Sequence, residues 1–276
     1  MSPSLYDRLQ EAKDFLKNRL LYQPQIAVVF GSGLADAFLA KMEQRQTIRF
    51  EEIPHFKKST VPGHGGALHC GVVRDYPVLV SEGRIHYYEG YTMREVVFPV
   101  RTYASLGLES ILLTNAAGGL NPLYKAGDFM VVKDHINLTG RNPLRGPNDE
   151  RLGPRFPDMT EAYAPSLIKK LTEAAKRAKI AVKKGVYVGI MGPAYETPAE
   201  IAMYRKLGGD AIGMSTVPEV IAARHMGLKV AVISCITNAL TSKNLSPLSH
   251  ESVVEEAKKN QDRLACLLEE YLCDPR

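Results

Sequence analysis

A chain of 276 residues that is 45% hydrophobic and 24% charged is ordinary for a soluble globular protein and can bury a substantial core. The net charge of +5 lies in short pairs such as Lys57-Lys58 and Lys183-Lys184, with no basic stripe interleaved with aromatics, which argues against nucleic acid as a partner. Apolar stretches such as Val230 to Ile236 fall far short of a membrane span, and the N-terminus lacks a basic-then-apolar signal pattern. Cys70, Cys235, Cys266 and Cys273 stand without metal-ligand or redox spacing. The expectation is a cytoplasmic protein with reduced cysteines, no metal and no membrane partner.

Apolar runs alternate with amphipathic ones from end to end, with no linker or repeat, so one α/β domain over residues 1 to 276 is expected. Residues 4 to 22 read as an amphipathic helix capped by Ser4 and closed by Pro24. Ile26 to Phe30 is a short strand of the kind buried on both faces. It runs into Gly31-Ser32-Gly33-Leu34-Ala35-Asp36, a glycine corner whose N–H groups can converge on an anion. A dinucleotide fingerprint fails here, because the third glycine is replaced by Asp36.

Val61 to Gly66 is a glycine-rich loop, and its His64 is either a surface histidine or a ligand contact. Ala67 to Val73 and Val78 to Ser81 form a hairpin that feeds Gly83-Arg84-Ile85-His86-Tyr87-Tyr88-Glu89-Gly90-Tyr91. If the strand continues, period-2 alternation sets Arg84, His86 and Tyr88 on one face: a fixed cation, a titratable imidazole and a phenol, suited to phosphate beside a sugar. The alternative is a strand edge blunted by charge.

Thr92 to Leu106 reads as one helix with a Thr92/Glu95 capping box. Ser110 to Thr114 is a buried strand ending at Asn115-Ala116-Ala117-Gly118-Gly119, a second small-residue corner opening on the same side as the first. Phe129 to His135 is a strand, and residues 137 to 158 form a long polar loop of the kind that binds something or reaches a neighbour. A helix over 161 to 178 and a strand over 185 to 191 follow. Tyr195 and Glu196 then precede a helix capped by Thr197, with Pro198 and Glu200 in place. Asp210 to Met214 leads into a corner at Ser215, Leu228 to Ile236 ends at Thr237-Asn238, and His250 sits beside the cap Ser249 of a last helix over about 250 to 272.

The corners at Ser32, Asn115/Ala116, Glu196, Ser215 and Asn238, together with Arg84, His86 and Tyr88, are an inventory for holding phosphate, pentose and base at once. Over nearly its whole length the chain resembles the trimeric, low-molecular-mass purine nucleoside phosphorylases. The resemblance runs through Gly31-Ser32-Gly33-Leu34, Pro62-Gly63-His64, the Gly83 to Tyr91 stretch, Thr114 to Gly118, Gly213-Met214-Ser215-Thr216-Val217-Pro218-Glu219 and Thr237-Asn238. It implies a mixed, partly closed sheet flanked by helices, and reversible phosphorolysis of inosine and guanosine, or their deoxy forms, to free purine and ribose 1-phosphate.

It further implies a phosphate site at Ser32, His64, Arg84, His86, Ala116 and Ser215. The ribose site falls on Tyr88, Tyr195, Met214 and His250, completed by Phe156 of a neighbouring subunit in a homotrimer. The base site falls on Glu196 and Asn238, which with His86 are the catalytic set. Inorganic phosphate is then a co-substrate, and no cofactor is implied. Departures from the family pattern are Ala35 for glycine, Ala239 for lysine and Tyr195 for phenylalanine; the alignment of His250 is the loosest. The alternatives are a xanthosine-preferring enzyme, a methylthioadenosine phosphorylase, which Asn238 and His250 disfavour, and a non-catalytic nucleoside-binding protein.

Overall fold

The computed structural model describes residues 3–61, 65–240 and 248–273. His64, with the two residues before it, lies outside the described residues.

The sheet is built around β1 (Ile26–Val29), which pairs in parallel with β4 (Tyr76–Glu82) on one side and β5 (Ser110–Gly119) on the other. Its fully apolar sequence is explained by the packing. Ala27 and Val29 enter one buried cluster and Ile26 and Val28 enter another, so both faces of the strand are dry. The first cluster is covered by α1 (Leu5–Lys17), α4 (Phe98–Ser105) and α7 (Val217–His225). The second is covered by α2 (Asp36–Leu39), α5 (Pro165–Arg177) and α8 (His250–Leu272).

Outside β4 lies the antiparallel β3 (Ala67–Val73), and outside that β2 (Glu43–Arg49). The expected hairpin turns at Arg74 and Asp75, both at positive φ. The edge strand β2 has no counterpart in the sequence reading, because Glu-Gln-Arg-Gln-Thr-Ile-Arg buries only Ile48 and lacks an apolar pattern.

On the other side β5 forks. Its first half pairs with β1, its last two residues pair antiparallel with β8 (Ala211–Gly213), and its whole length pairs in parallel with β9 (Lys229–Ala239). From β8 the ladder runs through β7 (Val182–Gly189) and β6 (Phe129–Asn137) back to β9, closing a ring within a mixed sheet that has nine strands among the described residues. The mixed, partly closed sheet is the expected architecture. The expected end of β5 at Thr114 is not observed: Asn115 to Gly119 remains paired with β9, with a register shift between Ala117 and Gly118. Its small residues permit the fork, since a Cβ on Gly118 would fall 2.8 Å from a Leu240 methyl.

Other boundaries moved for local reasons. Helix α1 has the Ser4 cap, with the Asp7 N–H donating to Ser4 Oγ at 3.2 Å, but it ends at Lys17, not at residue 22. The expected helix over 92 to 106 is two, α3 (Met93–Val96) and α4, broken at Val97 ahead of Pro99, whose missing N–H cannot extend the ladder. The Thr197 cap opens α6 (Pro198–Lys206) as expected. Among the described residues no helix is long and apolar enough to cross a membrane.

Candidate active site

The carboxyl ends of β1 and β5 and the corner after β8 surround one cleft. Gly31 is the hinge of the first corner. A Cβ there would lie 2.9 Å from Asn115 Cα, so only glycine lets β1 turn this close to β5, and its N–H donates to Thr114 Oγ1 at 3.0 Å. Ser32 and Ala116 thereby line one cleft, and Ser215 joins them from the corner after β8.

The strand expected to carry Arg84, His86 and Tyr88 stops at Glu82. Gly83, at a φ of +93°, turns the chain off the sheet, and Tyr87–Glu89 is a single 3-10 turn. The three side chains nevertheless line the cleft together. The His86 and Tyr88 rings are stacked at 4.7 Å and 10°, a geometry that the turn provides and an extended strand would not.

Arg84 and Glu219 form a buried ion pair, Nε to Oε1 at 3.0 Å, with side chains 5% and 4% exposed. The other oxygen of Glu219 accepts the Thr216 N–H at 2.9 Å. Thr216 has φ +74° and ψ −56°, and the Val217 N–H donates to Ser215 O at 2.8 Å across it. This is a γ-turn of positive φ, a conformation that costs a β-branched residue about 1 to 3 kcal/mol. Asn115 holds the turn from the other side, donating from Nδ2 to Thr216 Oγ1 at 2.9 Å.

His86 is oriented by Glu89, whose Oε1 accepts from the His86 backbone N–H at 2.7 Å and lies 3.0 Å from the ring Nδ1. Oε2 accepts from the Thr60 N–H and hydroxyl at 2.6 and 2.8 Å. Burial alone would raise the Glu89 pKa, but these hydrogen bonds outweigh it and draw the carboxyl down to about 2. As an ionised carboxylate can only accept, the proton of the pair resides on Nδ1. Burial also pushes the Tyr88 phenol well above its ordinary range, so it stays protonated.

The same cleft is also lined by Tyr195, Glu196, Met214, Asn238 and His250. Burial raises the Glu196 pKa, its own backbone N–H pulls it back, and Glu200 adds to the rise. Asn238 Oδ1 accepts the Thr237 hydroxyl at 3.1 Å. Tyr195 and Glu196 stand just ahead of α6, and His250 is the first residue of α8, so two capped helix ends carry these residues. Thus Ser32, Arg84, His86, Tyr88, Ala116, Tyr195, Glu196, Met214, Ser215, Asn238 and His250 meet in one cleft. Phe156 does not. It is 86% exposed on the long loop, with the Arg155 guanidinium 5.5 Å from its ring centre.

Sequence reasoning placed Asn115 only within a corner and gave no separate role to Thr216, Glu219 or Glu89. A signal existed for two of them, since Glu219 follows Thr216 and Glu89 follows His86 by three residues, the capping-box interval.

Residues 25–272 match the family described as the phosphorylase superfamily. The chain is 49% identical over 251 residues to purine nucleoside phosphorylase 1 of Geobacillus stearothermophilus, covering 91% of each. Two solved Schistosoma mansoni structures are similar to it. Isoform 2 of the purine nucleoside phosphorylase, with cytosine and ribose-1-phosphate, superposes with a TM-score of 0.91 at 40% identity, covering 97% of this chain and 96% of that one. A purine nucleoside phosphorylase in complex with inosine gives 0.92 at 35%, covering 100% of both. With a cleft of this composition and relatives this near over nearly the whole length, the chain belongs to the phosphorylase superfamily and, within it, to the purine nucleoside phosphorylases.

Proposed function

We propose that the cleft performs reversible phosphorolysis of 6-oxopurine nucleosides, inosine and guanosine, with Ser32, Arg84, His86, the Ala116 backbone and Ser215 holding phosphate at one end. The observation that carries this reading is the meeting, in one cleft, of an Arg/His/Ser set with the Glu196/Asn238 pair and with Tyr88 and Met214. The combination suits a nucleoside lying between an anion and a base pocket. The relatives solved with inosine and with ribose-1-phosphate support it.

In this reading a phosphate oxygen attacks C1′ as the C1′–N9 bond breaks and its electron pair passes into the purine. Positive charge grows on the ribose above a bound anion, so phosphate both stabilises the transition state and becomes the nucleophile. His86, fixed through Nδ1 by Glu89, offers Nε2 to the phosphate. Tyr88, Tyr195, Met214 and His250 hold the sugar. Asn238 stabilises the developing charge on the base through N7 and O6, and Glu196 accepts the N1–H that a 6-oxopurine carries and adenine lacks. His64, outside the described residues, belongs to the phosphate site in the same reading.

Phe156, exposed on this chain, closes the sugar pocket of a neighbouring subunit, which makes the assembly a cyclic homotrimer. No cofactor is called for, and the setting is cytoplasmic. The decisive experiment is hypoxanthine release from inosine with and without phosphate. Release that is unchanged when phosphate is omitted would refute the reading.

A further inference from the structure

Three of the groups that hold the anion come from distant parts of the chain: Arg84 after β4, Ala116 within β5 and Ser215 after β8. One buried carboxylate and one strained turn tie them together. Glu219 accepts from Arg84 Nε at 3.0 Å with one oxygen and from the Thr216 N–H at 2.9 Å with the other. Thr216 in turn neighbours Ser215, whose Oγ lies 3.1 Å from Thr216 Oγ1, and receives Asn115 Nδ2 from the strand that carries Ala116.

We propose that Glu219 is a positioning residue for phosphate, locking the Arg84 guanidinium to the Ser215–Thr216 turn so that both arms present their donors at a fixed separation. The proposal rests on the phosphate reading above. A side chain serving only the helix would cap α7 through the Thr216 N–H and leave the guanidinium alone. Glu219 does both, and it does so with its side chain only 4% exposed, where each oxygen is committed and neither can be replaced by water. The strain at Thr216 fits the same design, because a γ-turn of positive φ persists only where its surroundings over-determine it. Here the over-determination comes from the Glu219 carboxylate, the Asn115 amide and the Val217 N–H.

Glu219→Gln separates the two duties. An amide has one acceptor and one donor end, so it can serve Arg84 Nε or the Thr216 N–H but not both. Initial rates of inosine phosphorolysis should show the KM for phosphate rising about tenfold, while the KM for inosine at saturating phosphate stays within about twofold. A purely structural role would not produce that split. Combining the change with Arg84→Lys, which removes Nε as a planar donor, should add far less to the phosphate KM than it does alone, since the two residues act as one unit. Glu219→Asp keeps the charge but shortens the reach. It should show the same phosphate-specific loss, and it serves if the Gln variant does not fold.

A folded Gln or Asp variant with wild-type phosphate KM, or with equal losses for both substrates that add to those of Arg84→Lys, overturns the proposal. A wild-type enzyme that cleaves inosine without phosphate overturns the reading beneath it, and the proposal with it.

Discussion

Glu89→Gln is the perturbation whose size the structure lets one work out. The Glu89 side chain is 1% exposed and accepts hydrogen bonds from the His86 N–H and Nδ1, from the Thr60 N–H and hydroxyl and, at 3.4 Å, from the Ser59 hydroxyl. These bonds overcome the upward push of burial and draw the carboxyl from its ordinary 4.5 to about 2. At about 1.4 kcal/mol per pKa unit, ionised Glu89 contributes about 3 kcal/mol at neutral pH, reduced to about 2 kcal/mol by solvent screening at the cleft.

A carboxyl with a depressed folded-state pKa stabilises above its unfolded-state value, and that contribution is lost as pH falls toward the folded-state value. Urea unfolding should therefore show the Gln variant about 2 to 3 kcal/mol less stable at pH 7. The gap should hold down to about pH 5 and narrow between pH 4.5 and pH 2. Because the amide can no longer accept from both His86 and Thr60, the phosphate KM should also rise, by about tenfold. A stability gap of the same size at pH 7 and pH 3.5 would refute the assignment of the ionised carboxylate as the hub of these bonds.

Asn238→Asp should lose inosine activity and gain on adenosine, shifting the ratio of specificity constants by at least about tenfold, because a carboxylate repels O6 and accepts from a 6-amino group. An unchanged ratio would place the 6-position elsewhere. Light scattering should find a trimer, and Phe156→Ala should raise the nucleoside KM by about tenfold with the trimer intact; a fully active monomer would remove both claims. Gly31→Ala, whose new Cβ would stand 2.9 Å from the Asn115 backbone, should cost about 1 to 3 kcal/mol in thermal unfolding and depress turnover. Wild-type stability and rate would show that the β1 corner has room to give.

Much of this protein was legible in the chain itself because the relevant physics is local. The buried strands announce themselves as apolar runs from Ile26 to Phe30, Ile111 to Leu113 and Val230 to Ile233. The Ser4, Thr92, Thr197 and Ser249 caps are set by a hydroxyl and its partner within three residues. Small residues at strand ends mark where backbone must approach backbone, and there the cleft lies.

What tertiary structure decided is whatever depends on partners far along the chain. The continuation of β5 through Asn115 to Gly119 needs β9 alongside it, and the polar β2 exists only because β3 offers it a ladder. The row Arg84, His86, Tyr88 is aligned by a turn at Gly83 rather than by strand alternation, because at Gly83 the backbone, at positive φ, leaves the sheet. The bond between Arg84 and Glu219 spans 135 positions. No periodicity or spacing encodes such a contact; it forms only when β4 and the corner after β8 have been folded onto the same wall, where a buried guanidinium requires a carboxylate.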